Sequence, residues 1–178
     1  RTGNPANPSD QTTFIPLSEL TNFDYKKYGY DGIGLGIFGN ICAIDIDHCV
    51  DANGKYSDMA IDIINTMQSY AEISPSDHGI RILFLATNFD FDKNKYYINN
   101  QKIGLEVYVA GATNKYVSLT GNAICKVDLV ESGELLQIIL DKYMLRPQHG
   151  DPTVPLPVPS IIPDDTALLE KACSAANG

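Results

Sequence analysis

Short apolar runs, separated by glycines and polar turns, dominate the first three quarters of the chain. Runs of four to eight apolar or β-branched residues between turn residues are typical of strands. Five runs fit this description: GIGLGIF, ICAIDID, GIRILFLA, LEVYVA and YVSLTG. The pair Gly39-Asn40 separates the first two runs and the segment GATNK separates the last two, so both sites predict β-hairpins.

Two longer segments have helical rather than alternating periodicity. In YSDMAIDIINTMQSYAEI, apolar side chains recur at Met59, Ile63, Met67 and Tyr70, and Ser57 or Asp58 can cap the start of the helix. The stretch GELLQIILDKYM predicts a second helix, and SELTNFDYKKYGYDG a short one ending near its first glycine after the lysines. The order strand, strand, helix, three strands, helix predicts an α+β fold with a mostly antiparallel sheet.

The composition changes sharply after this pattern ends. Six of the ten prolines fall within residues 147–163, which predicts a stiff, extended linker. Residues 164–178 have an Asp cap and a helical pattern, and we expect them to be the first helix of a further helical region. Residues 1–146 would then form one catalytic or binding domain, the N-terminal module of a longer protein.

Charge and cysteine content narrow the classes of function. The chain has 178 residues and a formal net charge of −9, which argues against a surface coated with basic residues for gripping duplex DNA. It contains neither an apolar run long enough to span a membrane nor a signal-peptide pattern, so we expect a cytoplasmic protein without membrane contact. The four cysteines have no zinc-finger spacing, and no zinc site is expected.

The second apolar run carries two acids, Asp45 and Asp47. Residues two apart on a strand point to the same face, so the two carboxylates lie side by side. Carboxylates this close share a proton or hold a cation, and hard oxygen ligands select Mg²⁺ or Mn²⁺. Glu106 interrupts another apolar run and would be a third ligand if its strand neighbours the first. Taken singly, each acid could instead cap a strand or face water.

A turn rich in serine and glycine precedes the strand GIRILFLA. Within ISPSDHGIRILF, Ser74, Ser76, Gly79 and the backbone amides around them can cradle phosphate. Arg81 lies between apolar residues and can offer a fork of donors to a triphosphate. Lys115 could take a similar role. The alternative is a plain turn with a surface arginine, and a charge at a hairpin tip.

These blocks, in this order, resemble the archaeo-eukaryotic primase superfamily. The similarity is to the primase-polymerase domain of phage- and plasmid-encoded primases, and it covers about residues 1 to 130. The stretches that carry it are RTGNPA, YDGIGLGIF, AIDIDHCVD, YAEISPSDHGIRILF and GLEVYVAGATNKYVSLTGN. In the superfamily the second motif commonly ends in histidine, where this chain has Arg81.

The resemblance implies a fold and a reaction. The fold would be an RRM-like sheet with flanking helices and a small N-terminal α/β element. The reaction would be synthesis or extension of primers on single-stranded DNA from ribo- or deoxynucleoside triphosphates, using two Mg²⁺ or Mn²⁺ ions. Asp45, Asp47 and Glu106 would be the catalytic metal ligands, and Ser74, Ser76, Gly79, Arg81 and Lys115 would hold the nucleotide.

The resemblance also implies partners. A helicase domain usually follows in the same full-length chain, and the gene would belong to a phage or prophage in a bacterial host. For the template we expect a local groove of basic and aromatic side chains, for which Lys93, Lys95, Tyr96 and Tyr97 are candidates.

Three other readings of the motifs stay open at this level. A phosphatase could use the Asp pair, but it requires a parallel, helix-alternating sheet that the hairpin signals oppose. A nucleotide-sugar transferase could use the pair with manganese, but the other blocks do not support it. The main alternative is a catalytically inactive nucleic-acid-binding or docking module of a replication protein, which the acidic balance and Arg81 would allow.

Overall fold

The computed structural model describes residues 5–20 and 24–147. Within them the chain forms three α-helices and eight strands. The helices are α1 (Leu17–Leu20), α2 (Asp58–Met67) and α3 (Gly133–Tyr143). The strands are β1 (Ile33–Gly36), β2 (Ile41–Ile46), β3 (Tyr70–Ile73), β4 (Ile80–Leu85), β5 (Asn99–Asn100), β6 (Leu105–Tyr108), β7 (Tyr116–Leu119) and β8 (Ala123–Cys125). Short 3-10 turns lie at Gln11–Thr13 and Lys26–Tyr28.

Six of the strands form one sheet in the order β5-β6-β2-β4-β3-β8, and every strand pair in it is antiparallel. The remaining two, β1 and β7, pair only with each other, from Ile33 opposite Leu119 to Gly36 opposite Tyr116. We call this pair the β1–β7 ribbon. The sequence-based expectation of an α+β fold with a mostly antiparallel sheet is therefore confirmed.

One face of the six-stranded sheet is buried beneath α2 and α3. Alternate residues of the central strands point to this face, and they are almost entirely aliphatic or aromatic. The fully buried members include Cys42, Ile44, Ile46, Ile80, Ile82, Phe84, Leu105 and Val107 from the strands and Ile63, Met67, Leu136, Ile139 and Leu140 from the helices. This is the main core of the molecule.

The opposite face is covered only in part, by the β1–β7 ribbon. Ile37 and Val117 of the ribbon region pack against Ala43, Leu83 and Tyr108 of the sheet to form a second, smaller apolar cluster. Beyond this cluster the same face carries charged side chains instead of apolar ones. The sheet therefore has one apolar face and one face divided between an apolar half and a polar half.

Capping and side-chain contacts hold the two long helices in place. The Ser57 hydroxyl accepts a hydrogen bond from the Ala60 N–H at 3.3 Å, which confirms Ser57 as the cap of α2. The Asp62 carboxylate of α2 accepts hydrogen bonds from Lys142 Nζ at 2.9 Å and from the Tyr143 hydroxyl at 2.7 Å, both on α3. These contacts join the exposed sides of the helices above the core.

Both predicted hairpins are wrong. The Gly39-Asn40 turn connects β1 to β2, and GATNK connects β6 to β7, but neither pair of strands is hydrogen-bonded. Turn residues reverse the chain in both places, yet β1 and β7 leave the sheet and pair with each other. The helical reading of Tyr70 is also wrong, because α2 ends at Met67 and the chain continues as strand β3 after Gln68 in the left-handed region.

Two further predictions concern the ends of the chain. Gly29 adopts φ 76° and ends the Lys26–Tyr28 turn, as expected for the N-terminal segment. The proline-rich segment 147–163, apart from its first residue, and the predicted helix 164–178 lie outside the described residues. Among the residues that are described, no helix has the length and apolar character needed to cross a bilayer.

Candidate active site

A row of charged side chains crosses the polar half of the sheet from one strand to the next. Glu106 of β6 is the register partner of Asp45 of β2, Asp45 is the partner of Arg81 of β4, and Arg81 is the partner of Glu72 of β3. Residues directly opposite each other in antiparallel strands point to the same face. We call these four residues the polar row, and it brings together acids that lie far apart in the sequence.

Asp45 is the most buried acid of the three that the sequence predicted as ligands, with 8% of its surface exposed. Its Oδ2 accepts a hydrogen bond from Arg81 Nε at 3.2 Å, whereas its Oδ1 is buried and has no hydrogen-bond partner. Burial raises the pKa of Asp45, the Arg81 guanidinium opposes that rise, and the charges of Asp47 and Glu106 add to it. Within the described residues, one oxygen of the Asp45 carboxylate, Oδ1, thus lacks a hydrogen-bond donor.

Glu106 lies beside Asp45 with a side chain that is 18% exposed. Its Oε2 accepts a hydrogen bond from the Tyr108 hydroxyl at 2.7 Å and lies 4.0 Å from Lys115 Nζ. Desolvation and this contact with Glu106 together raise the pKa of Tyr108. Tyr108 therefore stays a neutral donor to Glu106 and fixes the orientation of that carboxylate.

Asp47 follows β2 directly and its side chain is exposed. Its N–H donates to the Gly104 carbonyl at 2.7 Å, so its backbone is tied to the start of β6. Gly104 has φ 65°, and a Cβ there would lie 3.0 Å from the Asp47 carbonyl oxygen. A glycine is thus required at this position for β6 to approach β2 closely beside the acids.

Arg81 is held in the polar row by two contacts. Besides its bond to Asp45, Nη1 donates to the Ser118 carbonyl of β7 at 2.7 Å. A guanidinium has five N–H donors, and within the described residues the remaining three have no partner. The arginine is therefore fixed in direction while part of its fork stays available to a ligand.

The serine–glycine turn lies at the end of β3 and β4 that is nearest the acids. Ser74 N–H donates to the Gly79 carbonyl at 2.8 Å, and the Ser74 and Ser76 hydroxyls lie 3.0 Å apart. Gly79 packs tightly, because a Cβ there would lie 2.8 Å from Ser74 Oγ and 2.9 Å from the Ile46 carbonyl oxygen. Ser74 is buried and Ser76 exposed, so the two serines differ in access to a ligand.

Strand β7 runs along the polar row and therefore across the strands of the sheet. Lys115, just before β7, approaches Glu106; Ser118 accepts from Arg81; and the Thr120 N–H, just after β7, donates to Glu72 at 2.9 Å. The order of these contacts along β7 matches the order of β6, β4 and β3 in the sheet. All eight predicted site residues thus lie on or beside the polar half of the sheet, and Lys115 is not at a hairpin tip.

The sequence analysis missed Glu72, the fourth member of the polar row. It is fully buried, and it accepts hydrogen bonds from two backbone amides and one hydroxyl. The signal was present, because Glu72 interrupts the apolar residues of YAEI as Glu106 interrupts those of LEVY. The periodicity of the preceding residues, however, predicts that this segment is the end of a helix, where an isolated glutamate is ordinary.

The predicted template residues fall in another part of the molecule. Tyr96 is buried, and its hydroxyl donates to Asp141 of α3 and accepts from Gln137. Lys95 Nζ lies 3.3 Å from Asp141, and Arg146 stacks over the Tyr97 ring. The prediction is wrong for Tyr96, since a buried ring cannot stack on a base; these residues attach α3 to the loop before β5.

The carboxylates of Asp45, Asp47 and Glu106 suit a hard divalent cation. Three carboxylates lie close enough for Asp47 and Glu106 to raise the pKa of Asp45, and Asp45 Oδ1 is a buried oxygen without a partner. As the side chains are arranged, however, no three His, Cys, Asp or Glu residues in the described part of the chain stand close enough to hold a metal ion. Binding would require rotation of the exposed Asp47 and of Glu106 towards Asp45.

These features define the class of the chain: an α+β domain that gathers acids and an arginine on one face of an antiparallel sheet, beside a serine–glycine turn. It is similar to the DNA primase-polymerase of Nitratiruptor phage NrS-1, with 29% identity over 147 residues. The match covers 75% of this chain but only 20% of the length of that protein. No family model matches the chain. The resemblance to phage primase-polymerases inferred from the motifs is confirmed by this relative.

Proposed function

We propose that this chain is a nucleotidyl-transferring domain that makes or extends primers on single-stranded DNA from ribo- or deoxynucleoside triphosphates. One observation carries the proposal: the buried carboxylate of Asp45 has an unpartnered oxygen and lies in register with Glu106 and Arg81. A buried acceptor left without a partner costs about 1–3 kcal/mol, and a cation would offset this cost. The similarity to the phage primase-polymerase supports the same conclusion.

Asp45, Asp47 and Glu106 would hold the metal. Bound there, Mg²⁺ or Mn²⁺ would lower the pKa of a primer 3′-hydroxyl and stabilise the charge that develops on the α-phosphate and the pyrophosphate. The protein's own contribution is to place the carboxylates. Arg81 opposes the rise in the pKa of Asp45 that burial causes, and the Tyr108 hydroxyl donates to one oxygen of Glu106.

The nucleotide would lie along the polar row. The three remaining N–H donors of Arg81 can bind triphosphate oxygens, and Lys115 adds a positive charge at the Glu106 side. The Ser76 hydroxyl is exposed at the turn and can bind a phosphate oxygen. Gly79 has no side chain, so its backbone packs closely against Ser74 and the Ile46 carbonyl oxygen. Ser74 would act through Ser76, whose hydroxyl it contacts.

The strand order gives further support at the level of the fold. Strands β6-β2-β4-β3, with α2 between β2 and β3 and both long helices on one face, follow the order expected of an RRM-like core. We propose that this core is the catalytic part of a primase-polymerase fold. Residues 5–20 and 24–32 would belong to the small N-terminal element that the family resemblance implies.

The partners are proposed from the family resemblance. The chain spans 20% of the length of the phage protein. We propose a helicase domain in the same full-length chain and a phage or prophage gene expressed in the bacterial cytoplasm. Residues 147–163 would be the linker towards that region.

A binding module without catalysis is the second candidate, and two contacts favour it. Arg81 occupies Asp45 Oδ2 at 3.2 Å, and Lys115 lies 4.0 Å from Glu106, so two cations already offset part of the acidic charge. If these pairs were permanent, the acids would serve to position cations for a nucleic-acid backbone. The primer-synthesis experiment described next separates the two candidate functions.

Primer synthesis on single-stranded DNA, with Mg²⁺ or Mn²⁺ and all nucleoside triphosphates, tests the proposal. We expect Asp45→Asn to reduce synthesis by about a thousandfold or more, since removal of groups that stabilise the transition state has effects of this order. Asp90→Asn is the matched control, because Asp90 is exposed and follows the opposite end of β4. Synthesis that persists in an Asp45→Asn/Asp47→Asn variant would refute the metal site, and a wild type that binds DNA but synthesises nothing would favour the binding module.

A further inference from the structure

Glu72 is a fully buried acid that none of the roles proposed above uses. Its Oε1 accepts the Thr120 N–H at 2.9 Å, and its Oε2 accepts the Gly121 N–H at 2.9 Å and the Tyr70 hydroxyl at 2.8 Å. Burying a carboxyl group costs free energy unless hydrogen bonds compensate, and here three donors are supplied. A buried group so fully engaged has a defined structural task.

The task is to hold the end of β7 against β3. The turn after β7 is attached by further contacts, since the Thr120 hydroxyl donates to the Ile73 carbonyl at 2.7 Å and the Ile73 N–H to the Asn122 carbonyl at 2.9 Å. Glu72 is the side chain among these that takes both successive amides of the turn. It therefore determines where the chain leaves β7 above the sheet.

The position of β7 in turn determines the direction of Arg81. Ser118, two residues before Thr120, gives its carbonyl to Arg81 Nη1 at 2.7 Å. Arg81 is also the register partner of Glu72, yet within the described residues the Glu72 oxygens bond to the turn and to Tyr70 rather than to the guanidinium. The two carboxylates beside Arg81 thus act differently: Asp45 binds it directly, and Glu72 acts on it through β7.

We propose that Glu72 is a positioning residue, which fixes the Arg81 fork for a triphosphate by holding the Thr120–Gly121 turn; this inference rests on the proposed function. Replacement of Glu72 by glutamine would disturb these hydrogen bonds. An amide retains one acceptor oxygen but places an NH₂ group against one of the two backbone N–H donors. The turn must then shift, and the Ser118 carbonyl moves with it.

The first experiment measures steady-state kinetics of nucleotide incorporation for Glu72→Gln. We expect the KM for the nucleoside triphosphate to rise about tenfold while kcat changes less than about threefold, because the acids stay in place and only ground-state binding through Arg81 is lost. Glu134→Gln, an exposed glutamate on α3, is the matched control and should leave KM unchanged. An unchanged KM in Glu72→Gln would overturn the inference.

A double-mutant cycle separates positioning from general destabilisation. In an Arg81→Lys background, which lacks the guanidinium fork, we expect Glu72→Gln to raise KM by less than about twofold. The same tenfold rise in both backgrounds would show that Glu72 does not act through Arg81. If Glu72→Gln fails to fold, Tyr70→Phe removes one donor to the same carboxylate and should give a smaller rise in KM, about threefold, that Arg81→Lys again abolishes.

A second measurement does not depend on catalysis. The Nε–Hε resonance of Arg81 in a ¹H–¹⁵N spectrum reports the contact of this group with Asp45 and the placement of the fork. It should move in Glu72→Gln and stay in place in Glu134→Gln. A resonance that does not move would overturn the positioning role even if the protein is an active primase. A wild type without any nucleotide incorporation, combined with a moved resonance, would instead refute the proposed function alone.

Discussion

At the scale of single residues, close packing beside the acids limits which substitutions the chain tolerates. Gly79 lies where the serine–glycine turn meets β2, and a Cβ there would be 2.8 Å from Ser74 Oγ and 2.9 Å from the Ile46 carbonyl. The second of these atoms belongs to the backbone and cannot rotate away. The glycine is therefore required by packing, independently of any contact with a nucleotide.

We expect Gly79→Ala to lower the free energy of unfolding by about 1–3 kcal/mol, the usual cost of forcing an extra carbon into a packed site. Gly32→Ala is the matched control, because a Cβ at Gly32 meets nothing within 4 Å, and its effect should stay within about 0.5 kcal/mol. Urea denaturation measures both. Equal stability of the two variants would show that the turn can relax around the added methyl group.

The same scale shows which site residues a sequence can reveal. Asp45 and Glu106 could be found because each is an acid within an apolar strand, and their side-by-side placement follows from the register of β2 and β6. The contact of Arg81 with the Ser118 carbonyl could not be found, since it joins a side chain to a backbone atom of a strand that pairs elsewhere. Glu72 required β3 to be recognised first.

At the scale of elements, the helices and central strands were predictable because local patterns determine them. The Ser57 cap and the apolar spacing of α2 are local, and so are the apolar runs of β2 and β4. The pairing of β1 with β7 is not local, and turn residues on either side suggested two hairpins that do not form. Strands β5 and β8, with two and three residues, are too short for an alternating pattern to be visible.

The contact between α3 and the loop before β5 has a pH dependence with a definite sign. Hydrogen bonds from Tyr96, Gln137 and Lys95 hold the pKa of Asp141 below its ordinary value of 3.8. Because the pKa is lower in the folded state, the stabilisation is fully present above about pH 4 and is lost as the pH falls through the folded-state pKa. The contact between α3 and the loop before β5 is therefore weakened only at acidic pH.

We expect Asp141→Asn to lower the free energy of unfolding at pH 7 by about 0.5 kcal/mol, a small effect because the side chain is half-exposed and the charge is screened by solvent. The difference from the wild type should shrink as the pH falls through the folded-state pKa of Asp141, below which the wild-type carboxyl group is itself protonated. Thermal unfolding monitored at several pH values measures this difference, with Asp128→Asn as an exposed control. A deficit that is independent of pH would contradict the sign derived above.

At the scale of the whole molecule, the proposed metal site would link ion binding to folding. The acids lie on one face of the sheet whose helix-covered side forms the main core, so a ligand that bridges β2 and β6 stabilises the entire domain. Burial raises the pKa of Asp45, and repulsion by the charges of Asp47 and Glu106 adds to this rise. A cation would relieve both the repulsion and the unpartnered Oδ1.

We expect Mn²⁺ at about a hundred times its Kd to stabilise the protein by about 2.7 kcal/mol, or roughly 5–10 °C in Tm for a chain of this size. In Asp45→Asn the shift should be below about 2 °C, whereas Asp90→Asn should retain it. Thermal unfolding with Mn²⁺ and with a chelator gives both values. A shift of equal size in Asp45→Asn would place the ion elsewhere on the molecule.

The β1–β7 ribbon carries one more consequence, for the order in which the domain assembles. The two strands of the ribbon are far apart in the sequence: Ile33 of β1 pairs with Leu119 of β7, and strands β2 to β6 lie between them in the chain. Pairing of such distant segments closes a large loop, whose entropic cost must be met before any contact compensates for it. The ribbon therefore joins the sheet late in folding. During synthesis, nearly the whole domain must leave the ribosome before the ribbon can cover the face of the sheet that carries the carboxylates.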